Sequence, residues 1–115
     1  MKTKEEASEE FAVKIMELAD YLTKQKINSA IITQVLKSGT SIGANISEAK
    51  YAESKADFEH KLSIAQKECN ETLYWLRLLN RTKKIDESYY KVLYNDGSEI
   101  LSILSHIIKK SKNHQ

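Results

Sequence analysis

The segment from Lys37 to Ala49, KSGTSIGANISEA, constrains the fold more than any other part of the chain. It is rich in small residues, yet its apolar positions repeat with the spacing of one helix face. Two glycines within one helix each cost about 1 kcal/mol relative to alanine, and close approach of a neighbouring backbone is the usual compensation. A leucine at Gly39 or Gly43 should therefore wedge two helices apart. The face comprises Val35, Gly39, Ile42, Ile46 and Ala49.

Composition indicates a single globular domain spanning residues 1–115. The chain is 41% hydrophobic and 30% charged, which is typical of a folded protein with one core. It contains no proline and three glycines, so it has few of the turn-forming residues that a β-rich fold needs. These features predict an all-α protein.

The chain is expected to be cytoplasmic and to have no membrane partner. Its amino terminus is charged from Lys2 onward and lacks the apolar segment of a signal peptide. The longest apolar stretch, residues 100–108, is interrupted by polar side chains and is too short to cross a bilayer. A lone cysteine, Cys69, cannot form an internal disulfide, which fits a reducing compartment.

Four helices can be predicted from capping patterns and apolar periodicity. Thr3 followed by Glu6, and Ser54 followed by Asp57, match the capping box that begins a helix. The second helix is expected to end near Ala52. Connections of a few residues force neighbouring helices to run antiparallel, so we expect an up-down-up-down four-helix bundle. The expected N-caps are Thr3, Asn28 or Ser29, Ser54 and Asp86.

The third and fourth helices carry more apolar residues than one bundle core requires. The expected core stripes run from Phe11 to Leu22 on the first helix, from Phe58 to Leu79 on the third and from Tyr89 to Ile107 on the fourth. On the third helix a second stripe lies one residue back. An exposed surplus of this size indicates self-association, although scattered surface leucines are also common. The predicted oligomer interface consists of Trp75, Leu78, Leu101 and Ile108.

Three motifs resemble one known family. They are the run from Ser41 to Glu48 (SIGANISE), Phe58, and the run from Glu71 to Leu76 (ETLYWL). Together they resemble the four-helix-bundle proteins encoded in intervening sequences of bacterial large-subunit ribosomal RNA genes, over roughly residues 10 to 110.

That family is similar to the accessory variability determinant of diversity-generating retroelements, which works beside a reverse transcriptase and its RNA. The resemblance implies a homo-oligomeric ring, commonly of five subunits, with no known catalytic activity. Two positions depart mildly from the family pattern: Ser47 stands where alanine is common, and Cys69 where a small residue is usual.

The polar residues of these motifs could form either a carboxylate site or a structural network. Di-iron sites in bundles need Glu-x-x-His on two helices, a pattern that this chain lacks. We therefore expect a buried hydrogen-bond network that fixes helix register. Its expected members are Asn45, Glu48 and Glu71.

No residue pattern indicates an enzyme. The segment from Gly39 to Gly43 is followed by Ala44 and Asn45 instead of the lysine and hydroxyl of a phosphate-binding loop. Cys69 falls on the core stripe, where a cysteine usually packs as an inert apolar group. We expect no catalytic residue, metal, cofactor or small-molecule substrate.

Charge suggests a function more directly. The net charge is only +2, but residues 54–84 contain seven cations against four acids. The carboxyl ends of the first and third helices share one pole of an antiparallel bundle, where Asp20, Asp86 and Glu87 are the main opposing acids. A ring would repeat this pole and multiply its field. The cations there are Lys24, Lys26, Arg77, Arg81, Lys83 and Lys84.

Two functions are compatible with this pattern. The first is a non-enzymatic oligomeric bundle that binds RNA, or an RNA–protein complex, through phosphate contacts at the basic pole. The second is a protein-interaction scaffold with no nucleic-acid role, in which the cations only complement the helix dipoles.

Overall fold

The computed structural model describes residues 1–114, which form four α-helices and no strand. The prediction of an all-α chain is confirmed. The second helix ends three residues before the predicted Ala52. The helices are α1 (Lys4–Lys24), α2 (Ser29–Ala49), α3 (Lys55–Arg81) and α4 (Glu87–Lys112).

Each helix begins at one of the predicted N-caps. At α1 the Thr3 hydroxyl accepts from the backbone N–H of Glu6, and the Glu6 carboxylate accepts from that of Thr3, which completes the capping box. Only half of the box forms at α3, since the Asp57 carboxylate accepts from Glu53 and not from the cap residue. The other three N-caps, which each accept a hydrogen bond from a first-turn N–H, are Asn28, Ser54 and Asp86.

The helices form an antiparallel bundle about 48 Å long and 22 Å across. Within residues 1–114, α1 and α3 each pack against both α2 and α4, whereas the diagonal pairs do not meet. Two contacts show that α2 and α3 are antiparallel. Ser38 contacts Thr72, whereas Glu48, which comes later on α2, contacts Lys61, which comes earlier on α3. The predicted up-down-up-down order is therefore confirmed.

The predicted core stripes of α1, α2 and α3 are buried. Phe58, in the first turn of α3, is the exception and is only partly buried. In α4 the last core position is Ile108, which is 7% exposed, while Ile107 is half-buried. The prediction that Ile108 belongs to an outer interface is wrong. Ile108 was assigned to the wrong face because the core positions of α4 are spaced by four residues from Ile100 through Leu104. This spacing brings Ile108 to the inner face.

Both glycines of α2 face α1. A Cβ atom on Gly39 would lie 2.6 Å from Cγ2 of Ile15, a separation that no real side chain tolerates. A Cβ atom on Gly43 would lie 3.3 Å from the Ser8 hydroxyl and 3.4 Å from the Ser8 carbonyl oxygen. Close helix packing thus accounts for both glycines, and the contact at Gly39 is the tighter one.

We expect alanine to have different effects at the two positions. Gly39→Ala should lower the free energy of unfolding by about 1–3 kcal/mol, because the fully buried, β-branched Ile15 cannot move aside. Gly43→Ala should remain within about 1 kcal/mol of the parent, since its gain in helix propensity offsets a milder contact. Chemical denaturation would measure both changes.

A double-mutant cycle provides the control. In an Ile15→Ala background, which removes two of the crowded atoms, Gly39→Ala should cost less than in the parent. If Gly39→Ala were as stable as the parent, close packing would not be the reason for this glycine.

Candidate nucleic-acid interface

The six predicted cations are all exposed, and five of them lie in the last turns of α1 and α3 or in the loops that follow. Arg77 lies about one helical turn before Arg81, further from the tip. The antiparallel order places both helix ends and both loops at the same end of the bundle. This surface is called the basic pole below, and it comprises Lys24, Lys26, Arg77, Arg81, Lys83 and Lys84.

The loop after α1 contains a lysine in a left-handed backbone conformation. Lys26 has φ of 59°, and its N–H donates to the Thr23 carbonyl at 3.0 Å. The next N–H, from Ile27, reaches back to the Leu22 carbonyl at 3.1 Å. These two hydrogen bonds form a Schellman motif, the helix ending in which glycine usually occupies the left-handed position.

The loop after α3 repeats the same arrangement. Lys83 has φ of 57°, and its N–H donates to the Asn80 carbonyl at 3.1 Å. Lys84 completes the motif through a 2.9 Å hydrogen bond to the Leu79 carbonyl. Lys26 and Lys83 are the two non-glycine residues with positive φ within residues 1–114, and both belong to the basic pole.

The left-handed conformation costs an L-residue about 1–2 kcal/mol, because Cβ crowds the following carbonyl oxygen. Glycine avoids this cost, and all three glycines of the chain lie inside helices instead. Lysine at both positions therefore carries an energetic penalty that nothing in the fold requires.

The nearby acids form no close ion pairs with the cations of the basic pole within residues 1–114. The Asp86 carboxylate accepts hydrogen bonds from the backbone N–H of Tyr89 and the hydroxyl of Ser88 at the start of α4. The Glu87 Oε1 atom lies 3.9 Å from Nζ of Lys91, one turn further along α4. Among residues 1–114 no ion pair shorter than 4.0 Å includes any of the six cations.

A groove of about 340 Å³ between α2 and α3 borders the basic pole. Lys26 and Lys84 lie along it, and its apolar wall includes Ile31, Trp75 and Leu78. The predicted cation site and part of the predicted oligomer interface therefore adjoin.

The remaining interface residues do not extend this groove. Leu101 is half-buried against the core on α4, and Ile108 is a core residue. The most exposed non-aromatic apolar side chains of α1 and α4 are at other positions, none of which was among the predicted interface residues. They are Val13, Met16, Val92 and Ile103.

The structure contradicts the prediction that Asn45, Glu48 and Glu71 form a buried hydrogen-bond network. The Asn45 amide donates to the Ser41 carbonyl of its own helix at 2.8 Å. Glu48 is exposed and pairs with Lys61 at 3.2 Å, while Glu71 is exposed and accepts from the Trp75 indole at 3.2 Å. These three side chains make local or surface contacts, because their positions on α2 and α3 lie outside the core stripes.

A smaller buried polar pair takes the predicted role. The hydroxyls of Ser38 and Thr72 lie 3.0 Å apart in the core between α2 and α3. Ser38 precedes Gly39, so the same turn of α2 carries both the close contact to α1 and the polar contact to α3. Helical spacing from Val35 and Ile42 could have placed Ser38 near the core.

Cys69 is buried, as its position on the α3 stripe predicts. Its thiol donates to the Gly97 carbonyl at 3.2 Å. Burial raises the pKa of the Cys69 thiol to about 12, so the group stays protonated and weakly nucleophilic.

Residues 1–114 contain no group of three or more histidine, cysteine or acidic side chains placed to hold a metal ion. None of the four helices has an apolar stretch long enough to cross a membrane.

The fold and its surface define an all-α four-helix bundle with a basic pole. The chain belongs to the family described as 23S rRNA-intervening sequence protein, whose profile matches residues 5–106. This confirms the resemblance noted in the sequence.

A solved structure supports the same assignment. It is a protein of unknown function from the S23 ribosomal protein family of Bacteroides thetaiotaomicron, with a TM-score of 0.91 and 48% sequence identity. The match covers 93% of this chain and 99% of that one. A comparison with curated proteins finds no match. The descriptions of the family and of the similar structure indicate no catalytic class.

The strained lysines generate a test of stability. Lys26→Gly and Lys83→Gly should each raise the free energy of unfolding by about 1 kcal/mol, because glycine adopts the left-handed conformation without a clash. The two gains should add, since the residues lie in separate loops. Chemical denaturation would measure them.

Lys24→Gly is the matched control. It removes the same charge from the same pole, but its position at the end of α1 is helical, so glycine should lower the free energy of unfolding by about 1 kcal/mol. Destabilisation by all three substitutions would show that the left-handed lysines are not strained.

Proposed function

We propose that this protein is a non-enzymatic, oligomeric helical bundle that binds RNA, or an RNA–protein complex, through its basic pole. The observation that carries the proposal is the pair of left-handed lysines, Lys26 and Lys83. Each occupies a position where glycine would favour the fold, and each belongs to a cluster of cations without ion pairs. A requirement for positive charge at these two positions explains both features.

RNA is the polyanion that the family context favours. The family description refers to intervening sequences of 23S rRNA, and the similar structure is assigned to a ribosomal protein family. Contacts to phosphates carry no sequence information, so binding through phosphates at the basic pole predicts little sequence preference.

Salt dependence is the direct test. The protein should bind mixed cellular RNA at low salt, and the logarithm of affinity should fall linearly with the logarithm of salt concentration. In a Lys26→Gly, Lys83→Gly double variant the slope should decrease by about one for each lysine that contacts a phosphate. Filter binding or fluorescence anisotropy at several salt concentrations would measure it.

This variant separates charge from folding, because we expect it to be more stable than the parent. Weaker binding by a more stable protein cannot result from unfolding. Failure of the parent to bind mixed RNA even at low salt would exclude the proposal.

We also propose that the subunits assemble through the apolar wall of the groove between α2 and α3, with Lys26 and Lys84 remaining at the edge of the contact, toward the basic pole. Trp75 and Leu78 on its wall are half-buried in the single subunit, and burying the remaining apolar surface contributes about 25 cal/mol per Å². A closed ring would bury this surface in every subunit, and the family resemblance makes five subunits the number to test.

Light scattering at micromolar concentration should give a mass close to five chains. Trp75→Glu should shift the assembly toward smaller species, because it places a second carboxylate beside Glu71, which accepts a hydrogen bond from the indole. Ile103→Glu is a useful control, since Ile103 is exposed on another face between α4 and α1. A monomeric mass for the parent would contradict the proposed assembly.

The second candidate function is a protein-interaction scaffold that never contacts nucleic acid. The same groove favours it, since its wall is apolar and adjoins the surface of the bundle that carries Glu68 and Glu71. A complex held by this surface should change little with salt, unlike one held by phosphate contacts.

A further inference from the structure

The outer surface of α3 and α4 beside the basic pole carries three tyrosines grouped around one arginine. The guanidinium of Arg77 lies 5.9 Å from the ring centre of Tyr74, and its Nη1 donates to the Tyr94 hydroxyl at 3.3 Å. The ring of Tyr90 lies 5.3 Å from that of Tyr94. Tyr74, Arg77, Tyr90 and Tyr94 are called the tyrosine–arginine cluster below.

Only part of the cluster packs against the core. Tyr74 is 46% exposed, and its position on α3 lies opposite the core stripe. Tyr90 and Tyr94 are half-buried against the core. A tyrosine hydroxyl is uncharged near neutral pH, and burial raises the pKa of Tyr90 further. The cluster therefore presents neutral aromatic rings beside a cation on an accessible surface.

Charge differs between the two sides of α3. On the side toward α2, Glu68 and Glu71 precede Trp75, and Glu71 accepts the hydrogen bond from its indole. On the side toward α4, Arg77 belongs to the cluster, and Arg81 follows it by one helical turn. A polyanion bound at the basic pole is thus favoured to continue along the α4 side, over the tyrosines.

We infer that the nucleic acid bound at this surface is single-stranded, with bases stacking on the tyrosine–arginine cluster and phosphates contacting the neighbouring cations. The inference rests on the proposed function and adds the form of the RNA to it. Stacking on aromatic rings needs accessible base faces, which a single strand offers and a duplex buries. Any base can stack, so this mode also implies little sequence preference.

The test compares a single-stranded oligouridylate of about 20 nucleotides with an RNA duplex of similar length, at one salt concentration. The single strand should bind about tenfold more tightly, and Tyr74→Ala should remove most of that preference. Trp75 is the only tryptophan, and its ring lies 5.2 Å from that of Tyr74, so its emission should respond to the single strand and not to the duplex.

Three further variants identify stacking as the cause. Tyr74→Trp should keep the preference for the single strand, whereas Tyr74→Leu, which is bulky but not aromatic, should lose it. Tyr51→Ala is the matched control, because Tyr51 is 78% exposed in the connection at the opposite end of the bundle. The salt slope should stay the same in Tyr74→Ala, since no phosphate contact is removed.

The failures of the two proposals differ. Equal affinity for single strand and duplex, or the same affinity in Tyr74→Ala and Tyr51→Ala, would overturn the stacking inference and leave RNA binding intact. Absence of binding by both RNAs at low salt would instead overturn the proposed function.

Discussion

The close contact between α1 and α2 at Gly39 is the constraint on which the rest of the bundle depends. Ile15 occupies the space that a side chain at Gly39 would need, so the distance between these helices is set by a missing Cβ atom. Gly97 on α4 makes a similar but softer contact, where a Cβ atom would lie 2.9 Å from Cδ2 at the flexible end of the Leu73 side chain. All three glycines lie at helix–helix contacts, and the two loops of the basic pole turn without one.

Lysine takes the place of glycine in those loops, and this exchange links the fold to its proposed function. A glycine inside a helix and a lysine at positive φ both raise the free energy of the folded state. Packing offsets the first cost, because Ile15 and Leu73 fill the space beside Gly39 and Gly97. No ion pair within residues 1–114 offsets the second, since Lys26 and Lys83 are exposed and form none. In the proposed function an RNA phosphate offsets this cost, whereas in the scaffold alternative the lysines only complement the dipoles of α1 and α3.

Much of the fold was predictable because its signals are local. N-cap chemistry located the starts of all four helices, and apolar spacing identified the core of α1, α2 and α3. Ile108 was assigned to the outer face because the predicted α4 stripe took a step of three residues after Leu104, whereas the structure takes a step of four. Which step occurs depends on where α4 packs against its neighbours. The polar prediction failed similarly: a motif marks Asn45 and Glu71, but only packing shows that Ser38 and Thr72 share the core. Lysine at positive φ has no sequence signal, since the usual marker of that conformation is glycine.

The proposed ring would strengthen RNA binding through the number of contacts, and not by multiplying the field of the basic pole as the charge pattern suggested. Each bundle is 22 Å across, whereas electrostatic interactions in solution are screened over about 8 Å at physiological ionic strength. Neighbouring basic poles would therefore act almost independently on an approaching phosphate. A single RNA strand that reaches two poles gains from effective concentration, because the second contact becomes intramolecular. A flexible single strand can follow such a path from one subunit to the next, which a stiff duplex of the same length cannot. The separation of the poles and the tyrosines of each subunit thus favour the same form of RNA.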